Sequence, residues 1–163
     1  MTIRGRVTKT AIALAMMLTI LLVVSCGEKT VFTGVKMMPP EGWSIYNQVI
    51  FPVSVTDTLN PNDVLLTIRN NSEYPYRNIF LFVTTTSPQG YSLRDTVEIY
   101  LADEKGAWQG KGLGDIHDLT FPLRTNVIFP YQGTYQFRIE QGMRTEDLAG
   151  IMDVGLRIVK KEK

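Results

Sequence analysis

The only histidine of this chain, His117, lies between Asp115 and Asp118 in a glycine-rich stretch, residues 110–118 (GKGLGDIHD). A histidine beside carboxylates is the side-chain set of a metal site, or of a general base with an acid that orients it. A metal ion would need further ligands, and the sequence has no second histidine to supply one. The simpler interpretation is a loop between two strands, in which glycines adopt positive φ and Asp115, His117 and Asp118 bond to nearby backbone amides.

Other catalytic patterns in the sequence are incomplete. Residues 106–112 miss one residue of the phosphate-loop interval and have glycine where the metal-binding Ser or Thr should follow Lys111. A serine hydrolase would need a Gly-x-Ser-x-Gly turn, which the sequence lacks. The adjacent carboxylates at 103–104 and 146–147 do not share one side of a strand or helix, so neither pair is a catalytic dyad. We therefore predict a protein that is not an enzyme, with no catalytic residue, metal or cofactor.

Trp108 stands next to the glycine-rich stretch and is the aromatic residue best placed to bind something. Loops on a rigid β-scaffold are where binding residues usually lie. We therefore predict a partner-binding loop formed by Trp108, Asp115, His117 and Asp118. The alternative is that the aromatic side chains form a sugar-stacking surface, as in a carbohydrate-binding module.

Cys26, the only cysteine, ends a hydrophobic leader. Residues 21–26 (LLVVSC) match a bacterial lipobox, with an aliphatic residue three positions before the cysteine and a small residue directly before it. Three basic residues precede the uncharged run 11–24, which has the length and flanks of an export signal. A single-pass anchor is the alternative, although the run is shorter than the ~20 residues that a spanning helix needs. We predict a signal peptide over residues 1–25 and lipidation of Cys26 by diacylglycerol and an acyl chain.

Removing this leader changes the charge balance of the chain. The whole sequence has 17 basic and 16 acidic residues, and the leader holds three basic and no acidic ones, so the mature charge is 14 − 16 = −2. The basic residues are scattered, which excludes the positive patch of a nucleic-acid-binding protein. Residues 26–42 end in the helix- and strand-breaking sequence MPPEG (38–42). We therefore predict a lipidated tether over residues 26–42, followed by one folded domain over 43–163.

This domain follows the period-two pattern of β-strands. One face is apolar in residues 64–69, 97–101, 135–139 and 154–158, whereas residues 79–86 are apolar on both faces and predict a central strand or one that crosses a thick core. Turn sequences rich in Asn, Pro and Gly separate these segments. The pattern predicts an all-β fold, an antiparallel, immunoglobulin-like β-sandwich of about seven or eight strands.

Two further strands are predicted at residues 48–55 and 120–129. The only helical candidate is 145–151, where Thr145 is suited to cap one short helical turn.

Four segments give the chain a family resemblance when they are taken together with the lipobox. They are residues 74–78 (YPYRN), 110–118 (GKGLGDIHD), 139–144 (IEQGMR) and 153–157 (DVGLR). In this combination the chain resembles the GldH family of gliding-motility lipoproteins of the Bacteroidetes. The resemblance implies an accessory cell-envelope lipoprotein, which in gliding species is associated with the motility machinery and the linked type IX secretion pathway. It carries over no catalytic residue or cofactor, and transfers only Cys26 as the lipidated residue.

Two features of the phylum bear on location and modification. Its surface-exported lipoproteins tend to carry an acidic run after the cysteine, whereas residues 27–29 (GEK) have one acid, so we expect the periplasmic leaflet of the outer membrane. Residues 57–59 (DTL) and 95–97 (DTV) resemble the phylum's O-glycosylation motif, which makes Thr58 and Thr96 candidate sites. The alternative is ordinary sequence at the edge of a strand.

The sequence thus favours a noncatalytic outer-membrane lipoprotein that acts through contacts with envelope proteins of a motility or secretion complex. A carbohydrate- or peptidoglycan-binding module is the first alternative. A metal-assisted enzyme built around His117 is the second.

Overall fold

The computed structural model of the protein describes residues 29–161, and these residues form an all-β fold. Among them, eight strands have seven or more residues and three are shorter. In chain order the strands are β1 (Thr30–Met37), β2 (Trp43–Ser44), β3 (Val49–Val55), β4 (Asn62–Asn70), β5 (Asn78–Thr86), β6 (Ser92–Tyr100), β7 (Lys111–Leu113), β8 (Ile116–Val127), β9 (Gly133–Gln141), β10 (Asp147–Leu148) and β11 (Ile151–Lys160).

The long strands make two antiparallel sheets that pack against each other. One sheet has the order β1-β11-β4-β8-β7 and the other β3-β9-β5-β6, while β2 and β10 pair separately. The predicted antiparallel sandwich is therefore confirmed. β5 lies between β9 and β6, in agreement with the central strand predicted from its two apolar faces.

The core lies between the two sheets and is filled by the inward residues of their strands. β3 and β4 alternate strictly between buried residues and residues that reach solvent. Val53 and Leu66 are examples of the buried side chains, and one apolar cluster joins them to Leu81 and Ile139. The period-two pattern of the sequence thus gives each sheet one apolar face, and the two faces bury each other.

β1 corrects the predicted domain boundary. The tether expected over residues 26–42 is wrong from Thr30 onward, because Thr30–Met37 pairs with β11 as an edge strand of the larger sheet. The ring of Phe32 packs against that of Phe51 in the opposite sheet, with centroids 6.1 Å apart in a T-shaped arrangement. β1 is mostly exposed, so its sequence lacks the clear alternation that revealed the other strands.

The helical turn predicted at residues 145–151 is also wrong. Thr145 caps no helix; the side-chain amide of Gln141 (Nε2) instead donates to the backbone carbonyl oxygens of Thr145 and Glu146, at 2.9 and 3.2 Å. The chain then pairs β10 with β2, which places Trp43 opposite Leu148, both fully buried. Within residues 29–161 there is no helix of the length and apolarity that a membrane crossing requires.

The sandwich has two ends that differ in what they carry. The anchor end, as we call it, contains Lys29, Lys161 and the connections 56–61, 87–91 and 128–132. The distal end contains the remaining connections between strands, including the turn between β7 and β8. The nine residues of β4 run from one end to the other, which sets the two ends about 30 Å apart.

Candidate interaction site

The glycine-rich stretch forms a hairpin of β7 and β8 at the distal end, on the edge of the larger sheet. Leu113 and Ile116 face each other across the turn, and Gly114 has a positive φ of 69°, which suits a two-residue hairpin loop. A Cβ at Gly112 would overlap the carbonyl oxygen of Ile116, so only glycine fits this close approach. The tip reaches solvent, and Leu113 is 91% exposed.

A row of alternating charges crosses four strands at the base of this hairpin. In the sheet register Asp153 lies opposite Arg69, Arg69 opposite Asp118, and Asp118 opposite Lys111. Arg69 Nε and Nη2 donate to the two carboxylate oxygens of Asp118, at 2.5 and 2.9 Å, and Nη1 donates to Asp153 at 3.0 Å. A bidentate pair fixes orientation as well as distance, so Arg69 ties β8 to β4 and β11.

Burial and pairing shift the pKa values of this row in different directions. The hydrogen bond from Arg69 lowers the pKa of Asp118 below its ordinary value. Burial is the largest influence on Asp153 and raises the pKa of its carboxyl, although Arg69 opposes the shift. The hydrogen bond with Asp118 raises the pKa of Arg69 further, so the guanidinium stays charged.

Trp108, in the connection between β6 and β7, packs at the start of β8. Its ring stacks on His117 with centroids 5.8 Å apart and an interplanar angle of 28°. Trp108 is half-buried against the core, and its backbone pairs with Ala102 in an isolated bridge. Asp103 holds the preceding turn by accepting hydrogen bonds from the amides of Lys105 and Ala107. The ring pair thus fixes the connection between β6 and β7 to the start of β8.

Of the four residues predicted for the binding loop, Trp108 and His117 are in contact, Asp118 points to the opposite face of β8, and Asp115 lies at the hairpin tip. Trp108 stacks on His117, Asp118 is the next residue along β8, and Asp115 lies 3.5 Å from the Ser72 hydroxyl. The expected bonding of Asp118 to a nearby backbone amide is replaced by its pair with Arg69.

Arg69 and Asp153 were not identified from the sequence. Each stands at an outward position of a strand, and their cross-strand partners are far away in the chain. The usable signal was a charged residue inside an otherwise apolar strand, which needs an oppositely charged neighbour when it is partly buried.

The side chains of this arrangement are engaged with one another. Arg69 occupies both oxygens of Asp118, and Trp108 covers one face of His117. Among residues 29–161, no three His, Cys, Asp or Glu side chains converge as metal ligands. The ring pair and the ion-pair row lie on opposite faces of β8, and both join the base of the β7–β8 hairpin to the rest of the sandwich.

The two candidate glycosylation threonines lie in different settings. Thr58 is half-buried in the connection 56–61, where the carboxylate of Asp57 accepts hydrogen bonds from the amides of Leu59 and Asn60. Thr96 is exposed on the outer face of β6. Cys26, the predicted lipidation site, lies outside the described residues.

Comparison with known proteins agrees with the resemblance found in the sequence. A family model described as GldH lipoprotein matches residues 30–158. The gliding motility lipoprotein GldH homolog of Christiangramia forsetii is 34% identical over 151 residues, covering 88% of this chain and 92% of the relative. Gliding motility lipoprotein GldH of Flavobacterium johnsoniae is 32% identical over 154 residues, covering 90% of this chain and 95% of the relative.

Among solved structures, one chain from the structure of infectious bursal disease virus Gx strain has a TM-score of 0.31 and 11% identity. The match covers 83% of this chain and 30% of that one, and a TM-score this low does not indicate a shared fold. The family model spans nearly all of the described residues, and both relatives match over almost their full length. The chain therefore belongs to the GldH family of gliding motility lipoproteins.

Proposed function

We propose that this protein is a noncatalytic lipoprotein of the outer membrane, held on the periplasmic side by lipid on Cys26. It acts as an accessory component of the gliding motility machinery and the type IX secretion system associated with it. Family membership supports the envelope role, and the lipobox at residues 21–26 supports the anchor. The protein works by contacting other envelope proteins, with no turnover of a substrate.

The exposed β7–β8 hairpin is the part of the structure that best supports a role in binding another protein. An exposed apolar side chain normally costs little on its own, but Leu113 stands at the tip of a loop whose base is fixed by an ion-pair row and a ring stack. Fixing a loop before binding reduces the entropy lost on association. The hairpin is therefore a preorganised contact, with Leu113 and Ile116 as its apolar part.

Site-specific crosslinking in the native cell tests this contact. A photoreactive amino acid at Leu113 should give one adduct with an envelope protein of the motility or secretion machinery, identified by mass spectrometry. Val35, which is exposed on β1 outside the hairpin, is the matched control and should give no such adduct. The same adduct from both positions, or none from Leu113, would rule out the hairpin as the contact.

The carbohydrate-binding alternative needs an aromatic face that is open to a sugar ring. Trp108 was the expected anchor, and it gives one face to His117 and packs against the core. Cosedimentation of the mature protein with peptidoglycan separates the two functions. Retention that falls on Trp108→Ala substitution, without a change in the crosslinked partner, would favour the carbohydrate-binding role.

A further inference from the structure

The first and last described residues lie side by side at the anchor end. The amide of Lys160 donates to the carbonyl oxygen of Lys29 at 2.9 Å, and the amide of Lys161 donates to that of Pro61 at 3.0 Å. The inference below rests on the proposed lipid anchor, because only residues 27 and 28 lie between Cys26 and Lys29, the first described residue. An extended chain of that length reaches at most about 11 Å. The bilayer surface must therefore lie close to this end of the sandwich.

Each of the three connections at the anchor end exposes one large apolar or aromatic side chain. They are Leu59, 83% exposed, Tyr91, 69% exposed, and Ile128, 53% exposed. The ring of Tyr91 stacks on Tyr131, with centroids 6.4 Å apart, and both rings line an apolar cleft of about 350 Å³ beside Ile128. Aromatic rings with a polar tip favour the headgroup level of a membrane, and aliphatic side chains favour the layer beneath it.

The charges at this end also suit a lipid surface. Connections 87–91 (SPQGY) and 128–132 (IFPYQ) contain no charged residue, and the single acid of connection 56–61, Asp57, forms an ion pair with Lys160. Lys29 and Lys161 add positive charge beside this pair. Lysines near an anionic membrane surface are attracted to its phosphates, whereas carboxylates are repelled.

The distal end has the opposite character. Five of the seven connections there carry a carboxylate, at Glu41, Glu73, Asp103, Asp115 and Glu146, and in these connections six acidic residues outnumber three basic ones. An acidic end is driven away from an anionic membrane by the same field that attracts the lysines. Charge and tether length therefore select the same orientation.

We propose that the anchor end rests on the bilayer, with Leu59, Tyr91 and Ile128 in the headgroup region and Lys29 and Lys161 beside lipid phosphates. In this orientation the strands stand upright on the membrane. The β7–β8 hairpin is then held about 30 Å above the surface, the length of β4.

The single cysteine of the chain provides a clean test. Once the Cys26 thiol is bound to diacylglycerol, a cysteine introduced by Leu59→Cys, Ile128→Cys or Leu113→Cys is the only free thiol, and all three positions are exposed enough to tolerate the change. The lipidated full-length variants are labelled with an environment-sensitive fluorophore. They are then reconstituted into vesicles of phosphatidylethanolamine and phosphatidylglycerol that contain brominated lipid.

Labels at positions 59 and 128 should shift to shorter wavelength and lose fluorescence to the brominated lipid, while the label at 113, the matched distal control, should do neither. Equal quenching at the three positions, or quenching only at 113, would overturn the orientation while leaving the anchor intact. Wild-type protein that reacts with a maleimide would instead show that the Cys26 thiol carries no lipid. That result would remove the anchor of the proposed function and this inference with it.

Discussion

Arg69 on β4 lies directly opposite Asp118 on β8 and donates two hydrogen bonds to it, Nε to Oδ1 at 2.5 Å and Nη2 to Oδ2 at 2.9 Å. The third bond of Arg69 reaches Asp153 on its other side. One guanidinium therefore joins the three strands that support the exposed hairpin.

Replacing Arg69 by methionine should destabilise the protein, because the buried carboxylate of Asp153 would lose the cation that pairs with it. A buried polar group left unsatisfied costs about 1–3 kcal/mol. Arg124→Met is the matched control, since Arg124 also holds a carboxylate, Asp95, that is more exposed than Asp153. Pairs of that kind contribute at most about 1 kcal/mol. Urea unfolding of both variants measures the difference, and equal losses would contradict the role assigned to Asp153.

Asp118 and Asp153 share Arg69 and yet predict opposite pH dependences. The pKa of Asp118 is lowered by its hydrogen bond from Arg69, so its contribution to stability is present above the ordinary value of 3.8 and is lost as the pH falls through the lower folded value. The pKa of Asp153 is raised by burial, so its contribution is present below 3.8 and is lost as the pH rises through the higher folded value.

The Asp118→Asn substitution should therefore cost more free energy of unfolding at pH 7 than at pH 3. Asp153→Asn should cost more at pH 3 than at pH 7. Urea unfolding of wild type and both variants at pH 3 and pH 7 measures how the cost of each substitution changes with pH. If both costs changed in the same direction, the opposite pKa shifts of Asp118 and Asp153 would be wrong.

The Cys26→Ala substitution should leave an unlipidated precursor, since the thiol that accepts the diacylglycerol is removed. Membrane fractionation after labelling with a radioactive fatty acid measures both attachment and location. Wild type should carry label in the outer-membrane fraction, and the variant should carry none. A labelled variant that still fractionates with the outer membrane would disprove the lipobox.

Of the two O-glycosylation candidates, Thr96 is the one that a glycosyltransferase can reach, because it is exposed on β6 whereas Thr58 is half-buried. Intact mass of mature protein from the native host should show a glycan increment. Thr96→Ala should remove it, and Thr58→Ala should leave it in place. Loss of the increment in the Thr58 variant alone would reverse the choice and would place a glycan on the connection proposed to face lipid.

The strands were predictable where burial repeats every second residue. β4 is an example, because Val64, Leu66 and Ile68 mark one buried face within a few residues of sequence. β1 escaped prediction because it is an edge strand that is mostly exposed, and its place depends on hydrogen bonding to β11 at the other end of the chain. The local sequence pattern indicates which residues are buried. It does not indicate a partner strand more than a hundred residues away.

The same limit applied to the candidate site. Trp108, Asp115, His117 and Asp118 were grouped because they lie close in sequence, and the fold places the ring of Trp108 against that of His117. Arg69 and Asp153 could not be linked to them, since their proximity depends on the register of three strands. The helical turn failed for a similar reason, because the pairing of β10 with β2 outweighs the capping preference of Thr145.

The antiparallel pairing of β1 with β11 has a mechanical consequence for a protein tethered through residues just before β1. A pull applied between the tether and the β7–β8 hairpin runs along the strands, from one end of the sandwich to the other. Such a load shears the hydrogen bonds between β1 and β11 together, from the pair Thr30 and Val159 to the pair Met37 and Asp153, and does not peel them apart one at a time. The first strand of this fold thus serves as a tensile attachment.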